Sequence, residues 1–302
     1  MLEDDLNSLF AGAGYRGSVS VLDIDGPDRV ELQAQEQAYA ASTFKVAVGL
    51  ELMCQSANGE VELAEPVRLL PDERTYGGQG LCLFTHPAEV SLRDLSVLML
   101  TISDNTATDA VIRRVDPRRI NTRMAELGLV RTDFACTISE HFAAMGRALG
   151  FADLAAFNRA LAAAPPADAV RMDREFREVF TKPDMAPYTT AGEMAQLIRL
   201  VWRDEAGPAS ACANLRAILG SQRLTRKIAT GFDANVSVAS KSGTVHGLIS
   251  NDMGAVIYPD GRRFAVAVFT QALAPDADPD ESTRLIGTAA RIAVEHLRDT
   301  SA

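Results

Sequence analysis

The sequence predicts an α/β (α+β) protein of two lobes, in which an antiparallel sheet flanked by helices is interrupted by an inserted all-α lobe. Three observations predict it. Stretches of β-branched and alternating apolar residues, punctuated by Gly, Pro and Asp, gather near both termini. The chain between them carries mainly helical periodicity. And 302 residues with 47% hydrophobic and 23% charged content are ordinary for a globular protein and long for one small domain. On this reading residues 1–36 and 213–302 form the α/β lobe and residues 37–212 the all-α lobe, the latter with an enlarged loop region over 134–187.

A short helix is expected from Asp5 to Ala11, then strands over Gly17–Ile24 and Arg29–Gln33, joined through the turn Asp25-Gly26-Pro27-Asp28. Their partners lie at the far end, where Val236–Ser242, Met253–Tyr258 and Arg263–Thr270 are β-rich and Pro259-Asp260-Gly261 closes a hairpin. A final helix over Ser282–Leu297 places Leu285, Ile286, Ala289, Ile292, Ala293 and Leu297 on one face, suited to cover that sheet. In the middle, Leu92–Ile102, Thr106–Val115, Ile120–Leu127 and Thr190–Trp202 have the clearest helical spacing. Ser42–Met53 is apolar on nearly every side, which is the pattern of a buried central helix.

With 40 acidic against 30 basic residues the chain carries a formal net charge of −10. No Lys/Arg run and no basic stretch interleaved with aromatics offers a footprint for a phosphate backbone, which argues against nucleic acid as a partner. No apolar run is long enough to span a membrane. Met1-Leu2-Glu3-Asp4-Asp5-Leu6 lacks the positive and apolar segments of a secretory signal, so the expected location is cytoplasmic, or secreted if a signal has been removed. Cys54, Cys82, Cys136 and Cys212 are dispersed and read as structural thiols. His86, His141, His246 and His296 are isolated as well, so no metal site and no cofactor is expected.

Three short motifs carry the chemistry. In Ser42-Thr43-Phe44-Lys45 the serine and lysine are three residues apart on a helix and share a face, so the amine can help deprotonate the hydroxyl. Alone, such a pair reads as a helix cap beside a solvated lysine. Lys45, however, sits inside an apolar helix, where desolvation lowers the pKa of an amine toward that of a useful base. The helix N-terminus also favours the negative charge that develops as Ser42 attacks. Ser103-Asp104-Asn105, by itself a helix cap, can supply a second hydroxyl to relay a proton and an amide to contact substrate and lysine. Lys241-Ser242-Gly243-Thr244 ends a strand; its glycine admits a ligand to the backbone, and its lysine offers positive potential to a substrate carboxylate. The N–H groups of Ser42 and Thr244 would then form an oxyanion hole.

In this order and context the three motifs resemble those of the penicillin-recognising serine hydrolases, most closely the class A β-lactamase-like branch. The resemblance extends through Ser103-Asp104-Asn105-Thr106-Ala107, Gly128-Leu129-Val130-Arg131-Thr132 and Gly247 to Gln271, and covers most of the chain. It implies a β-lactamase-like fold with the site at the junction of the lobes. It also implies roles: Ser42 nucleophile, Lys45 base, Ser103 proton relay, Asn105 substrate contact, Lys241 with Ser242, Gly243 and Thr244 as the anion-recognising strand. Tyr76, in Glu73-Arg74-Thr75-Tyr76-Gly77-Gly78, falls where the family places an aromatic at the cleft mouth; a surface-loop tyrosine is the plain alternative.

The family's Glu-x-x-x-Asn string, whose carboxylate activates the deacylating water, does not occur. The region between Asp133 and Tyr188 is longer than the family norm by roughly thirty residues, a length that suggests a lid or binding segment. Within it Asp173-Arg174-Glu175 resembles the family's Asp-Arg-x-Glu with the glutamate one place early, making Glu175 the candidate hydrolytic base and a solvated charge on a polar segment the alternative. Glu140 is the weaker candidate. The expected activity is acyl-enzyme hydrolysis of a β-lactam or related amide or ester bearing a carboxylate. A DD-carboxypeptidase, esterase or biosynthetic hydrolase on the same fold is the alternative enzyme, and a binding protein that has lost turnover is the alternative outside catalysis.

Overall fold

Side chains alternate across a strand, and the last strand shows how this chain uses both faces: Phe264, Val266 and Val268 join one core while Ala265, Ala267 and Phe269 join another. The computed structural model describes residues 2–77, 79–134, 136–180, 187–222, 226–245, 247–275 and 277–300. Gly78 and His246 lie outside the described residues.

The chain begins with α1 (Leu2–Gly12), β1 (Tyr15–Asp23), β2 (Arg29–Leu32) and the short β3 (Ala38–Tyr39). A 3-10 turn over Ala41–Phe44 runs directly into α2 (Lys45–Ala57). A small ribbon of β4 (Pro66–Leu69) and β5 (Ala88–Ser91) precedes α3 (Leu92–Thr101), α4 (Asn105–Val115) and α5 (Pro117–Glu126). Then come α6 (Ile138–Ala148), α7 (Leu154–Ala163), α8 (Pro166–Phe180), β6 (Tyr188–Thr189), α9 (Ala191–Trp202) and α10 (Ala209–Gly220). The chain ends with β7 (Ser237–Val245), β8 (Ile249–Ile257), β9 (Arg263–Ala272) and α11 (Pro279–Thr300).

Five strands form one antiparallel sheet in the order β2-β1-β9-β8-β7, so the N-terminal hairpin pairs with the C-terminal meander. Helices α1 and α11 bury Leu6, Phe10, Leu285, Ile286 and Ala289 against one face. Helix α9 covers the other with Met194, Leu197 and Ile198, and α2 lies deeper in the same core. Every residue from Lys45 to Gln55 is buried, including Glu51, whose carboxylate is neutralised by Arg119 at 3.2 Å and by Arg123. Among the described residues no helix is long and apolar enough to cross a membrane.

The expected enlarged loop over 134–187 is, where described, three helices with a core of their own: Met145, Leu154, Phe157, Met172, Val179 and Phe180 pack with Tyr39, Ala41 and Ile249. Residues 181–186 lie outside the described residues. A helix starts at Pro166, since proline suits the first helical position, where its missing N–H is not needed. Likewise the expected lobe boundary at 212/213 falls inside α10, which runs to Gly220.

Candidate functional site

Ser42 stands in the 3-10 turn that precedes α2, and the segment before it is pinned to the sheet. From β8, Asn251 donates its Nδ2 hydrogens to the carbonyls of Tyr39 (2.8 Å) and Ala40 (3.4 Å), and its Oδ1 accepts from Thr270 N–H at 3.2 Å. Ala41 is held at φ +47°, a left-handed conformation costly for a residue with a Cβ. The sheet contacts therefore hold the backbone on which Ser42 is displayed.

Lys45 follows on the first turn of α2 and is fully buried. Its Nζ donates to Ser103 O (2.7 Å), Ser103 Oγ (3.1 Å) and Asn105 Oδ1 (2.7 Å). Burial, and secondarily the nearby charge of Lys241, hold its pKa well below the usual lysine value. A neutral amine has two N–H donors and one lone pair. Protonated, Nζ donates to all three; neutral, it gives its two donors to the Ser103 carbonyl and Asn105 Oδ1, which can only accept, and its lone pair faces the Ser103 hydroxyl.

The second motif is held by Asp104, which is completely buried. Its Oδ1 caps α4 by accepting from Ala107 N–H at 3.0 Å, and its Oδ2 accepts from Leu81 N–H at 2.7 Å. Ser103 sits at φ +61°, strained so that both its carbonyl and hydroxyl reach Lys45. Asn105 Nδ2 donates to Tyr76 O at 2.9 Å, which ties the Tyr76 loop to this corner while the half-exposed ring meets Phe142.

Strand β7 brings the third motif alongside. A Cβ added at Gly243 would stand 2.7 Å from Ser42 N, 2.9 Å from Ala41 Cβ and 3.0 Å from Ala40 O, so only glycine lets β7 approach the Ser42 backbone this closely. Gly243→Ala is accordingly expected to destabilise the fold by about 1–3 kcal/mol and, by displacing the Ser42 N–H, to slow acylation about tenfold or more. Thermal melts and acylation rates measured on the same preparation check both effects. Thr244 is exposed at the cleft, and its Oγ1 accepts from Lys227 Nζ at 2.9 Å.

Lys241 is buried and donates to Ser242 O at 2.6 Å. Burial lowers its pKa to about 7, with Asp252 opposing the fall and Lys227 adding to it. Lys227 Nζ also donates to Gly243 O (2.8 Å) and Asn251 O (3.1 Å), and burial brings its pKa to about 8. Asp252 lies on β8 opposite Ser242; burial pushes it up to about 6 against the pull of Lys227 and Lys241. Asn251 and Asp252 lie within the Gly247–Gln271 stretch of the resemblance but without an implied role there, and Lys227, in a polar and basic segment, had no motif to mark it.

Glu175 is not brought to this cluster. It lies on the exposed side of α8, paired with Arg171 at 3.0 Å, while Asp173 and Phe176 of the same helix line the cavity that opens from Ser42. That cavity has a volume of about 1000 Å³. The other carboxylates on its wall already have protein partners: Asp133 accepts from Asn121 at 2.7 Å, Glu140 from Thr137 Oγ1 at 2.7 Å, and Asp173 from Arg177 at 2.7 Å. No group of three or more His, Cys, Asp or Glu side chains among the described residues is arranged to hold a metal.

A serine on a helix start, a desolvated lysine one turn on, a second serine on that lysine and a lysine-bearing strand beside them stand together on an α/β scaffold, the set of groups that Ser/Lys acyl transfer requires. The family model of the Beta-lactamase enzyme family matches residues 1–297, and the chain belongs to that family, which makes it a β-lactamase-like serine hydrolase. It is 26% identical over 308 residues to the beta-lactamase regulatory protein BlaB of Streptomyces cacaoi, covering 98% of this chain and 97% of that one. Its fold is similar to that of a beta-lactamase from Sphaerobacter thermophilus, with TM-score 0.77, 22% identity and coverage of 99% and 97% of the two chains. It is also similar to a mutant of PBP-A solved as an acyl-enzyme complex with penicillin G, with TM-score 0.77, 19% identity and coverage of 99% and 96%.

Proposed function

We propose that the protein hydrolyses a β-lactam, or a related amide or ester, through an acyl-enzyme on Ser42, and that deacylation is its slow step. The observation that carries the reading is Lys45: a buried amine, held by two obligate acceptors, whose lone pair is left for a serine proton. Ser42 Oγ attacks the carbonyl carbon and gives its proton to Lys45. The developing oxyanion is stabilised between the N–H groups of Ser42 and Thr244. Ser103 Oγ, 3.1 Å from Lys45 Nζ, passes the proton on to the leaving nitrogen as the C–N bond breaks. Asn105 contacts the substrate amide, Tyr76 flanks the cleft mouth, and Lys241 with Ser242, Gly243 and Thr244 attracts the substrate carboxylate.

An acyl-enzyme still has to be hydrolysed, and among the described residues each carboxylate on the cavity wall is already bonded to a protein group, which supports a slow water step. Glu175, turned outward and paired with Arg171, takes no part in this scheme; Glu175→Gln is expected to leave the deacylation rate within about threefold. Decay of a preformed adduct, followed by intact mass, measures this. Similarity to a regulatory protein over nearly its whole length favours a second reading, in which a long-lived acyl-enzyme is itself the signal. An intact-mass time course with a penicillin and a cephalosporin tests both: a persistent adduct is expected, rapid antibiotic loss with only a fleeting adduct refutes slow deacylation, and no adduct with no turnover refutes the β-lactam reading.

The pH profile follows from two amines with opposite requirements. Lys45 works when neutral, so acylation rises as pH passes its lowered pKa. Lys241 attracts a carboxylate only when protonated; with a pKa of about 7 that charge is present below neutrality and is lost above it. The second-order acylation rate for a carboxylate-bearing β-lactam is therefore expected to fall above about pH 7, whereas a neutral ester keeps only the rising limb. A falling limb of equal depth for both substrates would contradict the assignment of Lys241.

A further inference from the structure

The cavity that begins at Ser42 extends well past the Ser/Lys cluster, into the space enclosed by α6, α7 and α8. At about 1000 Å³ it lies at the upper end of the range for small-molecule sites. Its inner wall is aromatic and aliphatic: Phe142 from α6, Leu154, Phe157 and Leu161 from α7, Phe176 and Phe180 from α8. The rings form a continuous surface, with Phe157 stacked on Phe176 at 5.7 Å, Phe176 tilted against Phe180 at 4.4 Å, and Phe180 edge-on to Tyr39 at 5.1 Å. Tyr39 is three residues from Ser42, so the apolar wall reaches the nucleophile.

The polar groups on the wall are engaged or uncharged. Asp133, Glu140 and Asp173 are bound as described above, and among the described residues no Lys or Arg side chain lines the cavity. His141 is bonded through Nε2 to the Tyr39 hydroxyl at 3.1 Å, and burial lowers its pKa to about 4, which keeps it neutral. Among the described residues an anionic group would meet three carboxylates there and no cation. The lysines of this site, Lys241 and Lys227, stand on the β7 side, outside the cavity lining.

We propose that this cavity is an acyl chamber, and that the physiological substrate delivers to Ser42 a large, uncharged, apolar acyl group, a medium-length alkyl chain or an aryl-substituted acyl, while its anionic part faces β7. The inference rests on acylation of Ser42 and adds the substrate class. In the step concerned, the bond from Ser42 Oγ to the acyl carbon forms, the bond from that carbon to the leaving heteroatom breaks, and the serine proton passes through Lys45 to the leaving group or to water. The acyl chain is then left in contact with the aromatic wall.

The test is acylation of the intact protein by p-nitrophenyl acetate, butyrate, hexanoate and octanoate, each below its critical micelle concentration, read as nitrophenolate release and as the mass adduct. Full burial of a methylene amounts to about fourfold in rate, so a rise of at least about tenfold from butyrate to octanoate is expected. Ala144, on the α6 wall, offers room for a block: Ala144→Phe is expected to reduce the octanoate-to-butyrate ratio at least fivefold, a ratio that does not depend on how much of the variant folds. A flat or falling series overturns the chamber and leaves the acyl-enzyme reading intact. An unchanged ratio in Ala144→Phe overturns it too, since the selectivity would then arise elsewhere. If no ester acylates Ser42 the chamber falls as well, and benzylpenicillin under the same conditions reports separately whether Ser42 is acylated at all.

Discussion

Ser42→Ala is expected to abolish covalent labelling by penicillins and cephalosporins and to lower kcat/KM for any substrate turned over by about 10⁴-fold or more. The size of the effect follows from the role: without the hydroxyl no acyl bond can form, and only binding and the oxyanion donors remain. The change is small in volume and the residue is only partly buried, in a turn fixed by Asn251 and by Thr43 Oγ1, which donates to Ala40 O at 2.7 Å. Stability should therefore hold within about 0.5 kcal/mol, as for other substitutions away from a packed core. Labelling that persists in the variant would move the nucleophile to another residue.

Lys45→Met is expected to slow acylation by about 10²–10⁴-fold, the usual worth of a positioned general base. Methionine matches the length of the lysine stem and suits an apolar helix, so packing is largely kept. What it cannot do is satisfy the Ser103 carbonyl and Asn105 Oδ1, both of which accept from Nζ at 2.7 Å. Each acceptor left without a partner costs about 1–3 kcal/mol, so a lower melting temperature should accompany the loss of rate. Burst kinetics separate the two effects, because lost folding lowers burst amplitude whereas lost base catalysis lowers burst rate. An unchanged burst rate would exclude Lys45 as the base.

The sheet was legible because its signals are local: Asp25-Gly26-Pro27-Asp28 and Pro259-Asp260-Gly261 mark the hairpins, and period-two alternation marks the strands between them. The Ser42, Ser103 and Lys241 motifs were legible because each couples a residue type to a fixed spacing. Helix α6 also had a signal, since Thr137 and Glu140 form a capping box, but its apolar stripe is interrupted by His141 and small residues. Helix α8 was obscured by charge: Arg171 with Glu175 and Asp173 with Arg177 give it the appearance of a solvated segment, although Met172, Val179 and Phe180 are buried.

What could not be read was anything that depends on chain segments meeting. Lys227 and Asp252 are unremarkable in sequence and become part of the site only because β7 and β8 pair and the turn carrying Lys227 folds over them. Phe142, Phe157, Phe176 and Phe180 come from three separate helices, and nothing in the sequence marks them as neighbours. They bound the cavity beside Ser42, and helical periodicity says nothing of that.

The central claim is that Ser42, activated by Lys45, takes the acyl group. It is tested most directly by incubating the protein with benzylpenicillin, quenching with acid and locating the adduct by peptide mapping. One penicilloyl group on the peptide that contains Ser42, absent from Ser42→Ala, is the predicted result; no adduct, or one on Ser103 or another residue, would contradict it.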